Sequence, residues 1–341
     1  MELLTTSLKQ TSRSFYLTLR VLPGAIRPQI GLAYLLARAT DTIADTEIVP
    51  LEQRLAALRQ LRQAILAIDD DGSRPPLQLG ELAQHQGSPA ERILLQRVDE
   101  ALEVLRGFDQ EDRQRVRAVL EIITSGQELD LTRFAGASAQ NLIALQTDEE
   151  LDDYTFRVAG CVGEFWTKMC RARLFPDDQL DDAFLLRNGV RFGQGLQLVN
   201  ILRDLPKDLR AGRCYLPLSR LAVAGLTPRD LLTPAAGPGL RPLYNQYVAL
   251  AEAHLAAGWA YTNALPWRSA RVRLACAWPI LIGLKTCAKL RLGNVLEASQ
   301  PVKISRGEVQ GIVLLSALLY PAPCFWRRLG NLGRKEKLKT D

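Results

Sequence analysis

Two pairs of aspartates are spaced so that both carboxylates of each pair fall on one face of a helix. In Asp41-Thr42-Ile43-Ala44-Asp45 and in Asp204-Leu205-Pro206-Lys207-Asp208 the acidic residues stand four apart, with Cβ atoms about 6 Å from each other on successive turns. Such a face offers the hard oxygen ligands that Mg²⁺ takes. That ion uses one or two protein carboxylates and completes its shell with phosphate oxygens and water. Two faces of this kind would grip a diphosphate through several metal ions. Spacing alone carries little weight, because 37 acidic residues in 341 give about four such pairs by chance, each an ordinary solvated helix face. The surroundings change the balance. Asp41 follows Tyr34 and Arg38, and Asp204 follows Gln197, Asn200 and Arg203, all at helical steps inside otherwise apolar segments. A polar stripe in an apolar helix needs partners, and a metal-diphosphate ligand supplies them.

The elements that must position these residues read as helices. Leu51, Leu55, Leu58, Leu61, Ile65 and Ile68 recur at steps of three and four, as do Leu94, Val98, Leu102 and Leu105. Strand signals are weak throughout. Asn188-Gly189 would be a hairpin turn, but Leu185, Leu186, Val190, Leu196 and Val199 around it keep helical spacing. Gly189, Gly193 and Gly195 are therefore expected to let a helix or a ligand approach closely. Residues 69–89 and 233–242, rich in Pro and Gly, read as surface excursions and not as domain linkers. No repeat of fixed period appears. The pattern predicts a single all-α domain over residues 1–326, followed by a basic tail at 327–341.

Composition narrows the function classes. With 47% hydrophobic and 23% charged residues the chain is globular, which excludes disorder and a small disulfide scaffold. Lys and Arg exceed Asp and Glu by 6, yet Arg327, Arg328, Arg334, Lys335, Lys337 and Lys339 against Glu336 and Asp341 supply 4 of these. The body is thus close to neutral and shows no basic-aromatic patch, so no nucleic-acid partner is expected. The tail suits either an anionic lipid surface or plain solvation. The two histidines, His85 and His254, show no metal spacing, and the six cysteines form no CxxC pair. Buried, reduced thiols and a cytoplasmic location are expected, with peripheral contact to the cytoplasmic membrane face through the C-terminus as the first of the two alternatives for the tail. The apolar run 309–326, interrupted by Gln310, Gly311, Pro321 and Pro323, is too broken to span a bilayer and reads as a core or membrane-surface helix. No Gly-rich dinucleotide fingerprint follows a strand.

Thr11-Ser12-Arg13-Ser14-Phe15, the block from Tyr34 through Arg38 to Asp45, Tyr154 with Val158-Ala159-Gly160, and the block from Gln197 through Asn200, Arg203, Asp204 and Asp208 to Gly212-Arg213 resemble the squalene/phytoene synthase family. The resemblance runs in family order from about residue 7 to about residue 315. It implies a single-domain isoprenoid synthase fold, many helices around a central active-site cavity with the two Asp-rich motifs facing each other. It further implies that Asp41, Asp45, Asp204 and Asp208 hold Mg²⁺-diphosphate. Ser12, Arg13, Phe15, Tyr34, Arg38, Gln197, Asn200, Arg203 and Arg213 would contact two prenyl diphosphates, and Tyr154 would stand near the reacting carbons. Outside that context Phe15 and Tyr154 would be read as core aromatics.

Within the family two patterns compete. Cys276-Ala277-Trp278-Pro279 and Val302-Lys303-Ile304-Ser305-Arg306 are similar to squalene synthases. That implies 1-1′ condensation of two farnesyl diphosphates to presqualene diphosphate and its NADPH-dependent reduction to squalene, with Lys303 and Arg306 near the cofactor. Gly212-Arg213-Cys214-Tyr215-Leu216-Pro217 is similar to the non-reductive members, which make presqualene diphosphate, dehydrosqualene or phytoene. Lys303 and Arg306 also read as a basic helix start on the surface. A non-catalytic scaffold would not need both acidic pairs. Pro206 is expected to end or kink its helix and so to displace Asp208, and Lys207 either weakens metal binding or points outward.

Overall fold

The computed structural model describes residues 8–11, 15–68, 77, 79–297 and 302–331. They fall into two compact units, one within residues 1–135 and 165–178, the other within 136–164 and 179–341. Both are helical, and among the described residues the only strands are β1 (Ile143–Ala144) and β2 (Arg213–Cys214), paired in parallel.

The first unit holds α1 (Leu8–Thr11), α2 (Phe15–Val21), α3 (Arg27–Asp45), α4 (Leu51–Leu66), α5 (Gly80–Gln84), α6 (Pro89–Gln96), α7 (Val98–Arg106) and α8 (Gln110–Arg133). Leu58, Leu61 and Ile65 face inward on α4, as their spacing predicts. Leu94, Val98, Leu102 and Leu105 are buried too, but on two helices, because Arg97 (φ −106°, ψ 16°) leaves helical geometry between them. α3 packs against α8, whose N-cap Asp109 accepts a hydrogen bond from the Asp112 backbone N–H.

The second unit holds α9 (Asp148–Thr155), a π-helical turn at Phe156–Gly160, the start of α10 (Cys161–Leu174), α11 (Asp182–Arg210), α12 (Leu218–Val223), α13 (Gly237–Ala264), α14 (Ala270–Leu292), α15 (Arg306–Leu319) and α16 (Pro323–Leu329). The long α11 packs on α13 and on the π turn. Cys161, Cys170, Cys214, Cys276 and Cys287 are buried as expected, whereas Cys324 is exposed. Burial pushes the thiols of Cys161, Cys214 and Cys287 up to about 12. Arg327 and Arg328 lie on α16, next to the fully buried Trp326.

α11 runs unbroken through Pro206 to Arg210, contrary to the expectation that the helix would end there. A helical proline leaves the carbonyl four residues back without its N–H partner, which here is that of Leu202. The Tyr244 hydroxyl on α13, fully buried, donates to that carbonyl at 2.8 Å. The lost backbone bond is replaced by a side chain, so Asp208 stays on the helix with Asp204. Tyr244→Phe strands the Leu202 carbonyl and is expected to lower stability by about 1–3 kcal/mol, read as a lower urea midpoint at unchanged m-value.

Candidate active site

From Ile30 onward α3 is buried except along the stripe Tyr34, Ala37, Arg38, Asp41 and Asp45. The polar residues picked out by spacing are thus, together with Ala37, the accessible ones on this stretch of the helix. Tyr34 donates to the Thr11 carbonyl at 3.2 Å. Arg38 donates from one terminal nitrogen to Asp41 at 2.7 Å and from the other to Glu91 on α6. Its Nε is buried without a partner, a donor left for an acceptor such as a phosphate oxygen. Gln127 on α8 draws the Asp41 carboxyl downward, and its amide oxygen is buried with no partner.

Asp41 keeps 46% of its side-chain surface accessible. Desolvation and the Asp45 carboxylate push its carboxyl up to about 6, against the opposing pull of Arg38 and Gln127. Two carboxylates held this close repel each other, and a divalent cation between them would relieve that repulsion. The sign of the resulting pH dependence is fixed. A carboxyl raised in the folded state binds protons better there than in the unfolded chain, so its contribution to stability falls as pH rises from about 4 to about 6. Without divalent metal, Asp41→Asn should therefore gain stability relative to wild type across that window, as thermal melts at pH 4 and pH 7 will show.

On α11 the residues Gln197, Asn200, Arg203, Asp204 and Asp208 are half-buried along one run of the helix. The Asn200 amide donates to Gln197 Oε1 at 3.4 Å. Arg203 binds Asp204 through two parallel bonds of 2.8 and 2.6 Å, the fork geometry that also suits a diphosphate. Each acidic motif therefore begins with an aspartate held by a neighbouring arginine. Lys207 is exposed, and it lines the same recess as Asp204.

Tyr154 stacks on Tyr215 with ring centroids 4.7 Å apart. It stands one residue before the end of α9, where the chain enters the π turn at Phe156–Gly160, an irregularity common at functional sites. Gln194 on α11 donates to Asp152 on α9 at 2.8 Å. Arg213 is half-buried on β2 beside Gly212, whose φ of +82° and tight approach to the Ser138 backbone admit only glycine. Periodicity does not reveal Glu91, Gln127 or Asp152, since none belongs to a spaced motif; Tyr215 lies inside the Gly212–Pro217 block.

Lys303 lines a recess of about 400 Å³ together with Arg203, Asp204, Lys207, Arg210 and Val302. The segment leading out of it is tied down. Lys289 Nζ donates to the Lys303 carbonyl at 3.0 Å and to Glu308 at 2.8 Å. Ser305 and Glu308 form a capping box on α15, and Lys289, the cap and Lys285, whose Nζ lies 3.2 Å from Glu308, hold the Glu308 carboxyl down at about 2. Arg306 is exposed on the first turn of α15 and does not line the recess. Ser12, Arg13 and the side chain of Phe15 lie outside the described residues.

Among the described residues no group of three or more His, Cys, Asp or Glu converges on one point. The donor sets are pairs of carboxylates, with Asp41 left under-neutralised. That suits Mg²⁺, which draws its remaining ligands from phosphate and water.

The sequence matches the squalene/phytoene synthase family over residues 8–308. It is 32% identical over 255 residues to a presqualene diphosphate synthase of Rhodopseudomonas palustris, covering 75% of this chain and 76% of that one. It is 26% identical over 323 residues to a squalene synthase of Schizosaccharomyces pombe, covering 92% and 64%. The fold superimposes on TcSQS in complex with the ligand E5700 at a TM-score of 0.78 and 21% identity, over 100% of this chain and 92% of that one. The architecture is thus the isoprenoid synthase fold, and the chain belongs to the squalene/phytoene synthase family of prenyltransferases.

Proposed function

We propose that the protein is a squalene synthase, joining two farnesyl diphosphates head to head into presqualene diphosphate and reducing that intermediate with NADPH. The observation that carries the reductive half is the recess beside the second acidic motif. Lys303 and Val302 share it with Arg203, Lys207 and Arg210, so cations suited to a nucleotide's phosphates adjoin Asp204. NADPH bound there would supply the hydride.

Ionising an allylic diphosphate separates a carbocation from a highly charged leaving group, so catalysis consists of neutralising that charge as it develops and excluding water. Asp41 and Asp45 on α3, and Asp204 and Asp208 on α11, would hold Mg²⁺, which neutralises the diphosphate. Arg38 and Arg203 are already oriented by carboxylates. They would transfer donors to phosphate oxygens on substrate binding, and the orphaned Nε of Arg38 gives one donor that need not break an existing bond. Ser12, Arg13, Tyr34, Gln197, Asn200 and Arg213 would complete the phosphate contacts. The faces of Phe15 and of Tyr154, the latter braced by Tyr215, would stabilise the cation.

A second reading is favoured by one finding, the 32% identity to a presqualene diphosphate synthase: the reaction would then stop before reduction. Incubation with farnesyl diphosphate and Mg²⁺, with and without NADPH, followed by mass spectrometry of the products, separates the two. Squalene formed only with NADPH is the expected result. Presqualene diphosphate or dehydrosqualene in equal amount under both conditions would establish the non-reductive member.

A further inference from the structure

Residues 309–326 contain no Asp, Glu, Lys or Arg over 18 positions, yet much of this stretch faces outward. A surface helix ordinarily turns charged residues to water. α15 does the opposite: Leu314 is 62%, Leu315 41% and Leu318 67% exposed, and Phe325 on α16 is 56% exposed. The inward face is fully used, since Ile312 and Leu319 pack on Ala277, Leu281, Trp326 and Leu329, and Ser316 accepts from the Trp278 indole at 3.0 Å. The outward leucines are therefore not a misassigned core side. Among the described residues no helix is long and apolar enough to cross a membrane.

The platform beneath them is rigid. Arg273, 2% exposed, lies 4.6 Å from the Trp267 ring, 5.6 Å from that of Trp326 and 5.9 Å from that of Tyr320, and donates to the Leu265 carbonyl at 2.7 Å. Trp267 stacks on Tyr320 at 4.5 Å and keeps 38% of its surface exposed, an amphipathic ring at the edge of the apolar face. Around that face stand exposed cations, Arg306 at one end and Arg327 and Arg328 at the other. The sequence beyond adds Arg334, Lys335, Lys337 and Lys339.

We propose that the exposed face of α15 with Phe325 is a membrane-docking surface that lies in the plane of an anionic bilayer, its leucines among the acyl chains and its flanking arginines at the headgroups. An apolar stripe bounded by aromatic and basic residues is the pattern of an interfacial helix, and the excess of cations selects anionic lipid over a neutral surface. The proposal does not depend on which product the enzyme makes.

The test is co-sedimentation of the full chain with vesicles of phosphatidylcholine alone or with one third phosphatidylglycerol. Wild type should bind the anionic vesicles and lose binding at high salt. Leu314→Glu/Leu318→Glu should lower the partition coefficient at least tenfold, and Arg327→Glu/Arg328→Glu should remove most of the preference for anionic lipid. Circular dichroism melts confirm that each variant is folded, and Leu314→Ser/Leu318→Ser serves should the glutamates prevent folding. Wild type that stays in the supernatant, or leucine variants that bind as wild type does, would overturn the proposal. So would a micromolar dimer that the leucine variants dissociate, which would make the face a contact between copies.

Discussion

Asp204→Asn is expected to lower kcat about a thousandfold while leaving the protein folded. The carboxylate's visible partner is Arg203, in a bidentate pair with 36% and 41% of the two side chains exposed. A pair this open contributes little to stability, at most about 1 kcal/mol, so the structural effect of removing it is small. The catalytic effect is large because the ion that Asp204 would hold neutralises charge appearing only as the carbon–oxygen bond breaks. Loss of about 4 kcal/mol of such stabilisation is a thousandfold in rate. Asp41→Asn should behave alike, with the added gain in metal-free stability derived above. Single-turnover kinetics with farnesyl diphosphate, together with calorimetric titration of inorganic diphosphate at fixed Mg²⁺, checks both arms. Near-normal turnover with undiminished Mg²⁺-dependent binding would return Asp204 to an ordinary helix surface.

The helices and the two acidic stripes were legible because both depend on period alone. Tyr34, Arg38 and Asp41 recur at steps of three and four, and α3 proves buried everywhere along that region except on their line. Other features depended on contacts between segments distant in sequence, which periodicity does not encode. Pro206 reads locally as a helix breaker, and what overrides it is the Tyr244 hydroxyl, 42 residues along the sequence from the Leu202 carbonyl it satisfies. Glu91 looks like one more surface acid on a short helix until its contact with Arg38 is seen. The run 309–326 shows the converse. Its composition left a core and a membrane-surface reading open, and the structure gives it a buried side with Ser316 and Ile312 turned inward and an exposed apolar side with Leu314 and Leu318 outward.

The glycines of α11 carry the second large effect. In an exposed helix, replacing glycine by alanine stabilises by about 0.5–1 kcal/mol, because alanine restricts the unfolded chain and favours the helix. Gly311 on α15 is such a site, with nothing within 4 Å of an added Cβ. Gly193 is the reverse. A Cβ there would stand 2.1 Å from the Ala159 carbonyl oxygen and 2.6 Å from its carbon, and one on Gly163 would stand 1.9 Å from the Gly189 oxygen. Both obstacles are backbone, which no rotamer change can clear, so the helices must separate by an ångström or more. Gly193→Ala is therefore expected to destabilise by on the order of 3–5 kcal/mol, beyond ordinary overpacking. The same displacement reaches the chemistry. Tyr154 lies just before the π turn that Gly193 touches, and Gln197, Asn200 and Asp204 follow on the helix that would move. A shift of 1 Å in such positioning lowers turnover about a hundredfold. Urea unfolding of the two variants side by side gives opposite signs if the close packing is as described, with Gly311→Ala at or above wild type and Gly193→Ala far below. A Gly193→Ala protein as stable and as active as wild type would mean that α11 does not rest on the π turn at this distance.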